Sequence, residues 1–224
     1  MAEQHVNYFA LQKACEKKGC PLCSIIQERI DRYIDGMLFE HISDRVFRAQ
    51  YRNAGGFCTE HSKILLSYRD GLAVAILMQG TLSDYSEDFK KRKMRKYKEP
   101  CPACAEKNRI ERDFLTFIAE VTGKENRQGA KNSAHTAESD EELIRFFTAS
   151  SGLCVPHYAQ LVSSVRKIPS WLSEFQEGKF KNMLERTNRF IDFSAWGKQK
   201  EFATLSDADK VVWKELAETV RGMV

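Results

Sequence analysis

Apolar residues recur every three to four positions along most of the chain, the spacing of helices that bury one face. Residues 7–16 predict a short first helix. Residues 21–50 predict one long helix or two, with Ile26, Ile30, Tyr33, Ile34, Met37 and Leu38 in helical register. Gly55-Gly56 interrupts the pattern. A short helix over 58–69 follows, then a long one over 71–97 carrying Leu72, Ile76, Leu77 and Leu82, stopped by Pro100. Residues 102–121 repeat the pattern with Ile110, Phe114, Phe117, Ile118 and Val121.

The stretch 123–138 has no apolar residue larger than alanine and reads as an exposed loop. Ser139 with Glu142 then forms a capping box ahead of Leu143, Ile144, Phe146 and Phe147. Another short helix covers 154–166. Residues 170–193 put Trp171, Phe175, Phe180, Met183, Leu184, Thr187, Phe190 and Ile191 on one broad face, with Gly178 weakening the middle. Ser206 with Asp209 caps a last helix whose Val212, Leu216 and Val220 face inward. Few stretches alternate with a period of two, and no Asn-Gly or Asp-Gly turn joins such stretches. The expectation is an all-α protein.

The longest apolar run, residues 72–78, is far short of the roughly 20 residues a membrane-spanning helix needs and reads as a core helix. The amino terminus is polar and mixed in charge, with no apolar core of an export signal. A cytoplasmic chain that does not enter a membrane is expected, and its thiols should stay reduced. Cysteine spacing in such a chain points to metal binding or catalysis before disulfides.

Seven cysteines are many for a chain of 224 residues, and six of them fall into a pattern. Cys20-Pro21-Leu22-Cys23 is followed by Gly56-Phe57-Cys58-Thr59-Glu60-His61. Cys101-Pro102-Ala103-Cys104 is followed by Gly152-Leu153-Cys154-Val155-Pro156-His157. The same two words occur twice in the same order. The helices after each CPxC also match, Arg29-Ile30-Asp31-Arg32 against Arg109-Ile110-Glu111-Arg112. The pattern reads as an internal duplication, with a first repeat over 1–98 and a second over 99–224.

Each repeat supplies three thiols and one imidazole, the Cys3His set of closed tetrahedral structural zinc. Two zinc ions per chain are therefore expected. A closed shell leaves no position for water or substrate, which points away from catalytic zinc. The duplication favours sequential sites: Cys20, Cys23, Cys58 and His61 on one ion, and Cys101, Cys104, Cys154 and His157 on the other. The alternative is a cross-brace that exchanges the two C-x-x-H words.

A glutaredoxin-like redox pair would need a strand feeding CPxC, and none is visible. Ser24 and Ala105 stand where haem attachment requires histidine. An iron–sulfur cluster remains the rival occupant, since three cysteines and a histidine can hold one.

The duplicated CPxC and G-[FL]-C-x-x-H words, with the aromatic helix, Trp196-Gly197 and the last helix, resemble a prokaryotic family of unknown function. Its members carry duplicated CPLC and GFCxxH words in an all-helical chain. The resemblance covers residues 15–220, roughly, and matches at all eight ligand positions. It implies helices and metal sites and supplies no activity. The basic stretch 90–98 and the polar stretch 123–138 depart from it.

Charge adds one feature. Lys90, Lys91, Arg92, Lys93, Arg95, Lys96 and Lys98 lie within nine residues. The chain's net charge is only +4, so the rest of it is net negative. The run is a candidate contact for nucleic acid or another polyanion, or simply a solvated helix end. No long basic face elsewhere strengthens a nucleic-acid role. Cys15 fits a small buried residue of the first helix, and His5, His41 and His135 have no ligand-spaced partner. Glu60 and Asp70, flanking the first C-x-x-H, fit carboxylates that steady a metal ligand. No P-loop, H-E-x-x-H or G-x-S-x-G word is present. The expected function is a zinc-stabilised, non-enzymatic adaptor or scaffold for a protein partner. The alternatives are an iron–sulfur redox or sensing protein and a nucleic-acid-binding regulator.

Overall fold

The structure, a computed structural model, describes residues 2–97, 99–121 and 137–222. Lys98, His135 and most of the stretch expected to be a polar loop lie outside the described residues. Every regular element among the described residues is helical, as the periodicity predicts. In order they are α1 (Ala2–Cys15), α2 (Pro21–Gly36), α3 (Arg45–Asn53), α4 (Thr59–Ser67), α5 (Gly71–Lys90) and α6 (Pro102–Ala119). Then follow α7 (Ala137–Ala149), α8 (Val155–Ser164), α9 (Ser170–Phe193), α10 (Gln199–Ala203), α11 (Asp207–Lys210) and α12 (Val212–Arg221). A single π turn, Met37–His41, continues α2. No helix among the described residues is long and apolar enough to cross a membrane.

The chain forms two compact units. One comprises Met1–Ile25 and Glu111–Val224, the other Ile26–Ile110, so the divisions fall within α2 and within α6. The first unit packs α1 on α7, and α12 on α8 and α9. Leu11, Leu22, Phe114, Leu115, Ile118, Leu143, Phe147, Leu161 and Leu172 form its buried apolar interior. Trp171 and Phe175 meet Phe147 edge to face, and the Trp171 indole N–H donates to the Val121 carbonyl at 2.9 Å. The second unit packs α3 on α5 and buries Ile30, Ile34, Met37, Tyr51, Leu65, Leu77 and Ile110.

Several boundaries differ from the sequence expectation, each for a local reason. The helix over 71–97 stops at Lys90. There the Asp88 carboxylate accepts from the backbone N–H of Arg95 and pairs with its guanidinium at 2.6 Å, folding the chain back. Arg92 takes a left-handed conformation, φ 50°, to make that reversal. α7 begins at Ala137, so Ser139 lies inside the helix and not at its cap. Ser206 does cap, accepting from the Asp209 N–H at 3.1 Å, but the helix it starts is the four-residue α11. The last helix begins at Val212; Val212 is buried, whereas Val220 is 44% exposed. On α9 the buried line is Leu172, Gln176, Met183 and Thr187, and Leu184 and Ile191 face solvent. The aromatic count made that face look broader than the stripe that packs.

Candidate metal centres

The eight cysteines and histidines of the repeated words converge in two groups of four. Cys20, Cys23, Cys154 and His157 make one, and Cys58, His61, Cys101 and Cys104 the other. All donor atoms within a group lie within 4.8 Å of one another. The sequential pairing is therefore wrong: the C-x-x-H words are exchanged between the CPxC words. Chain path supplies the physical reason: α2 carries the chain out of the unit that holds Cys20 and Cys23 into the unit that holds Cys58 and His61, and α6 carries it back. Cys58 and His61 then meet the CPxC that opens α6, while α8 brings Cys154 and His157 to Cys20 and Cys23. Each centre lies wholly within one compact unit.

Local sequence builds both centres the same way. Cys20 and Cys101 immediately precede Pro21 and Pro102, the first residues of α2 and α6. Proline suits that position because its fixed φ is helical and no N–H is lost from the ladder. Cys23 and Cys104 lie in the first turns that follow. Cys58 and Cys154 are the extended residues before α4 and α8, with ψ 170° and 163°, and the histidines sit three residues on. Four positive helix ends thus point at the sulfurs, two at each centre, and favour thiolate over thiol.

The glycine of each G-[FL]-C word is required by shape. Gly56 and Gly152 have φ 82° and 78°, the left-handed region that disfavours any Cβ. A Cβ on Gly152 would also approach Gln176 Oε1 to 3.0 Å, and one on Gly56 would meet the Tyr51 ring at 3.2 Å. The next residues, Phe57 and Leu153, are buried and anchor the turns.

The donor geometry fits one tetrahedral ion at each centre. With metal–sulfur bonds of about 2.3 Å and metal–nitrogen bonds of about 2.0 Å, tetrahedral edges are about 3.8 Å between sulfurs and about 3.5 Å from sulfur to nitrogen. The Cys23–Cys154 and Cys58–Cys104 sulfurs are 3.7 Å apart. His157 Nδ1 lies 3.4, 3.5 and 3.1 Å from the sulfurs of Cys20, Cys23 and Cys154. His61 Nδ1 lies 3.2, 3.6 and 3.5 Å from those of Cys58, Cys101 and Cys104. These sulfur separations are far beyond a disulfide bond of about 2.05 Å.

Crowding and burial act on the thiols of both centres. The Cys20 thiol is pushed up by its Cys154 and Cys23 neighbours and by burial. Burial pushes Cys104 up to about 12, with help from Cys58 and Cys101. Burial acts to raise Cys58 as well, but the His61 N–H and the Cys104 and Cys101 thiols outweigh it and hold Cys58 low. A divalent cation would displace the protons that these groups otherwise share.

The surroundings of the two histidines differ. Burial alone would lower His157, yet contacts with Cys154, Cys23 and Glu111 raise it to about 11. Its Nε2 is 3.4 Å from Glu111 Oε1, and both side chains are about a tenth exposed or less. That carboxylate orients the ring with Nδ1 towards the sulfurs, the usual partner of a ligating histidine. His61 is lowered by burial and by Lys107, against a raising influence of Glu60. Sequence reasoning nominated Glu60 and Asp70 for this supporting role. Glu60 instead pairs with Lys63 at 3.0 Å in solvent, and Asp70 caps α5 through the Ala73 N–H. The repeat held the missed signal: Glu111 stands in the Arg-Ile-Glu-Arg word that matches Arg-Ile-Asp-Arg of the first copy.

Gln176 was also missed. It is fully buried on α9, accepts from the Leu153 N–H at 2.9 Å and donates to the Leu153 carbonyl at 2.8 Å. No spacing rule links it to the cysteines. Cys15 is buried at the end of α1, with its thiol raised to about 12 by burial, and belongs to neither centre. His41 is exposed and stacks on Phe47. In the basic run, Arg95 pairs with Asp84 and Asp88, and Lys90 with Glu87. Lys91, Arg92, Lys93 and Lys96 are exposed.

Fold and centres together define an all-helical protein with two Cys3His groups able to bind metal ions. The model of a family of unknown function (DUF6062) matches residues 3–200, and the chain belongs to that family. No curated protein and no solved structure matches it.

Proposed function

We propose that the chain is a zinc-stabilised helical adaptor or scaffold, without enzymatic activity of its own, that works in a reducing compartment such as the cytoplasm and presents its helical surface to a protein partner. The observation that carries the zinc reading is the size of the donor groups. In each centre the nitrogen lies 3.1–3.6 Å from the three sulfurs, one sulfur pair is 3.7 Å apart and all four donors fall within 4.8 Å, a spacing that suits a single ion. An iron–sulfur cluster spreads its ligands over several irons and needs wider spacing between them. The non-enzymatic reading rests on the closed shell: four protein donors fill a tetrahedral ion and leave no position for substrate. The nucleic-acid reading draws less support, because Arg95 and Lys90 are already paired with carboxylates of α5.

Structural zinc in this arrangement closes long segments of chain. One ion joins residues up to 137 positions apart, the other up to 46. Binding free energy at such sites appears directly as folding free energy. Metal analysis of anaerobically purified protein is the test. Two zinc ions per chain in colourless protein, replaceable by cobalt with the absorption of a tetrahedral thiolate site, are expected. Brown protein holding iron and acid-labile sulfide would overturn the zinc reading.

A further inference from the structure

The longest apolar run of the chain lies on α5, and among the described residues one side of α5 is left exposed. Its inner line is Ala73, Leu77, Gly80, Asp84 and Asp88, all buried or half-buried. α3 packs there, with Arg52 lying against Gly80 and pairing with Asp84. On the opposite side Leu72, Ala75, Gln79, Leu82, Ser86 and Phe89 are all exposed. Leu72 is 73% exposed, Leu82 69% and Phe89 61%. Their steps alternate between three and four residues, the seam of a helix that pairs with another helix. The seam is about 25 Å long.

We propose that this seam docks against α5 of a second copy of the chain, with the two helices antiparallel. Charge supports a like partner. Residues 71–83 contain no charged side chain, so two copies of the seam do not repel. Its flanks, Ile76, Met78, Ser83 and Tyr85, are uncharged as well. Beyond them Asp84 and Asp88 are neutralised by Arg52 and Arg95, and Glu87 by Lys90.

Read by side-chain size, the seam runs the same from either end: large, small, large, large, small, large. In an antiparallel pair Leu72 faces the other copy's Phe89, Ala75 faces its Ser86, and Gln79 faces its Leu82. Large side chains meet at the ends, and the small Ala75 and Ser86 let the backbones approach. The exposed basic residues that follow Lys90 decide the direction. A parallel pair would place two such runs side by side. An antiparallel pair holds them about 25 Å apart, well beyond the Debye length of about 8 Å at physiological salt. A lipid surface fits less well, because an interfacial helix carries cations along both flanks of its apolar face, and here they lie at one end only.

Sedimentation of the full, metal-loaded chain between about 1 and about 100 μM tests the proposal, a range that spans weak self-association. The parent should pass from monomer to dimer. Leu82→Asp and Leu72→Asp, both at exposed positions, should each raise the dimer dissociation constant about tenfold or more, since pairing would bury a carboxylate among apolar groups. Val162→Asp, at an exposed position on α8, should leave it unchanged. Metal content and helicity should match the parent in all three, which separates this proposal from the zinc reading.

Direction is read from a charge pair. Ala75→Lys should weaken the dimer, and adding Ser86→Glu should restore it, because the two positions face each other only in the antiparallel register. A chain that stays monomeric throughout, or dimers indifferent to both aspartates, would overturn the proposal. Failure of Ser86→Glu to restore pairing would overturn the antiparallel register. Pelleting of a monomeric parent with anionic vesicles, abolished by Leu82→Asp, would reassign the seam to a lipid surface and overturn the proposal.

Discussion

The two metal centres share donor types, word order and helix-end geometry, yet their surroundings differ. At the first, Cys20, Cys154 and His157 are buried, and only Cys23 is half-exposed. Glu111 holds the far nitrogen of His157, Gln176 clamps the turn before Cys154, and Gly222 packs at the sulfurs of Cys23 and Cys154. At the second, only His61 is buried, and Cys58, Cys101 and Cys104 are all half-exposed. Identical donors therefore do not make equivalent sites. The first centre should hold its ion longer, because its ligands are pre-oriented and screened from competing ligands in solvent.

Loss of a ligand should have the largest effect. Cys154→Ser or Cys23→Ser should open residues 1–25 and 111–224 to protease while residues 26–110 stay resistant. Cys58→Ser or Cys104→Ser should do the reverse. Mass mapping of early fragments reads the outcome. Each change should cost several kcal/mol, since structural zinc in small peptides contributes about 10 kcal/mol or more to folding. Protease sensitivity over 20–61 after loss of Cys58, with 99–157 untouched, would instead support sequential sites.

Release kinetics come next in size. A chromogenic chelator should remove two ions in two phases of equal amplitude, the fast phase at least about tenfold quicker. Cys101→Ser should abolish the fast phase, and Cys20→Ser the slow one. A single phase from the parent protein would break the comparison. Glu111→Gln keeps shape and a hydrogen bond but removes the charge. It should speed the slow phase about tenfold without changing the fast phase.

The supports of the turns should produce the smallest changes. Gln176→Ala orphans the buried N–H and carbonyl of Leu153 and should cost about 1–3 kcal/mol in denaturant unfolding. Tyr51→Phe, beside the Gly56 turn of the second unit, should cost about 1 kcal/mol. A larger loss for Tyr51→Phe than for Gln176→Ala would reverse the ranking of the two centres.

Much of this was legible in the sequence. Helical periodicity placed α2, α4, α6, α8 and α9 close to where they lie, and the repeated words named all eight residues that converge. Pairing was not legible. CPxC and C-x-x-H have the same spacing in both copies, so no local rule says which two join, and the passage of α2 from one compact unit into the other decides it. Exposure of α5 was equally hidden. Residues 72–78 read as core because they are apolar, but α3 packs on the Ala73–Leu77 side, and among the described residues Leu72 and Leu82 stay exposed. Glu111 was legible only as part of the repeated Arg-Ile-[DE]-Arg word, and Gln176 was out of reach because a contact made through tertiary packing leaves no mark in spacing.

The central claim is that each ion is held by the CPxC of one copy and the C-x-x-H of the other. Replacing both ions with cadmium-113 and recording proton–cadmium correlations reads the ligands directly. The account predicts two cadmium resonances. One should couple to the side chains of Cys20, Cys23, Cys154 and His157, the other to those of Cys58, His61, Cys101 and Cys104. A resonance coupled at once to Cys20, Cys23 and Cys58 would contradict it.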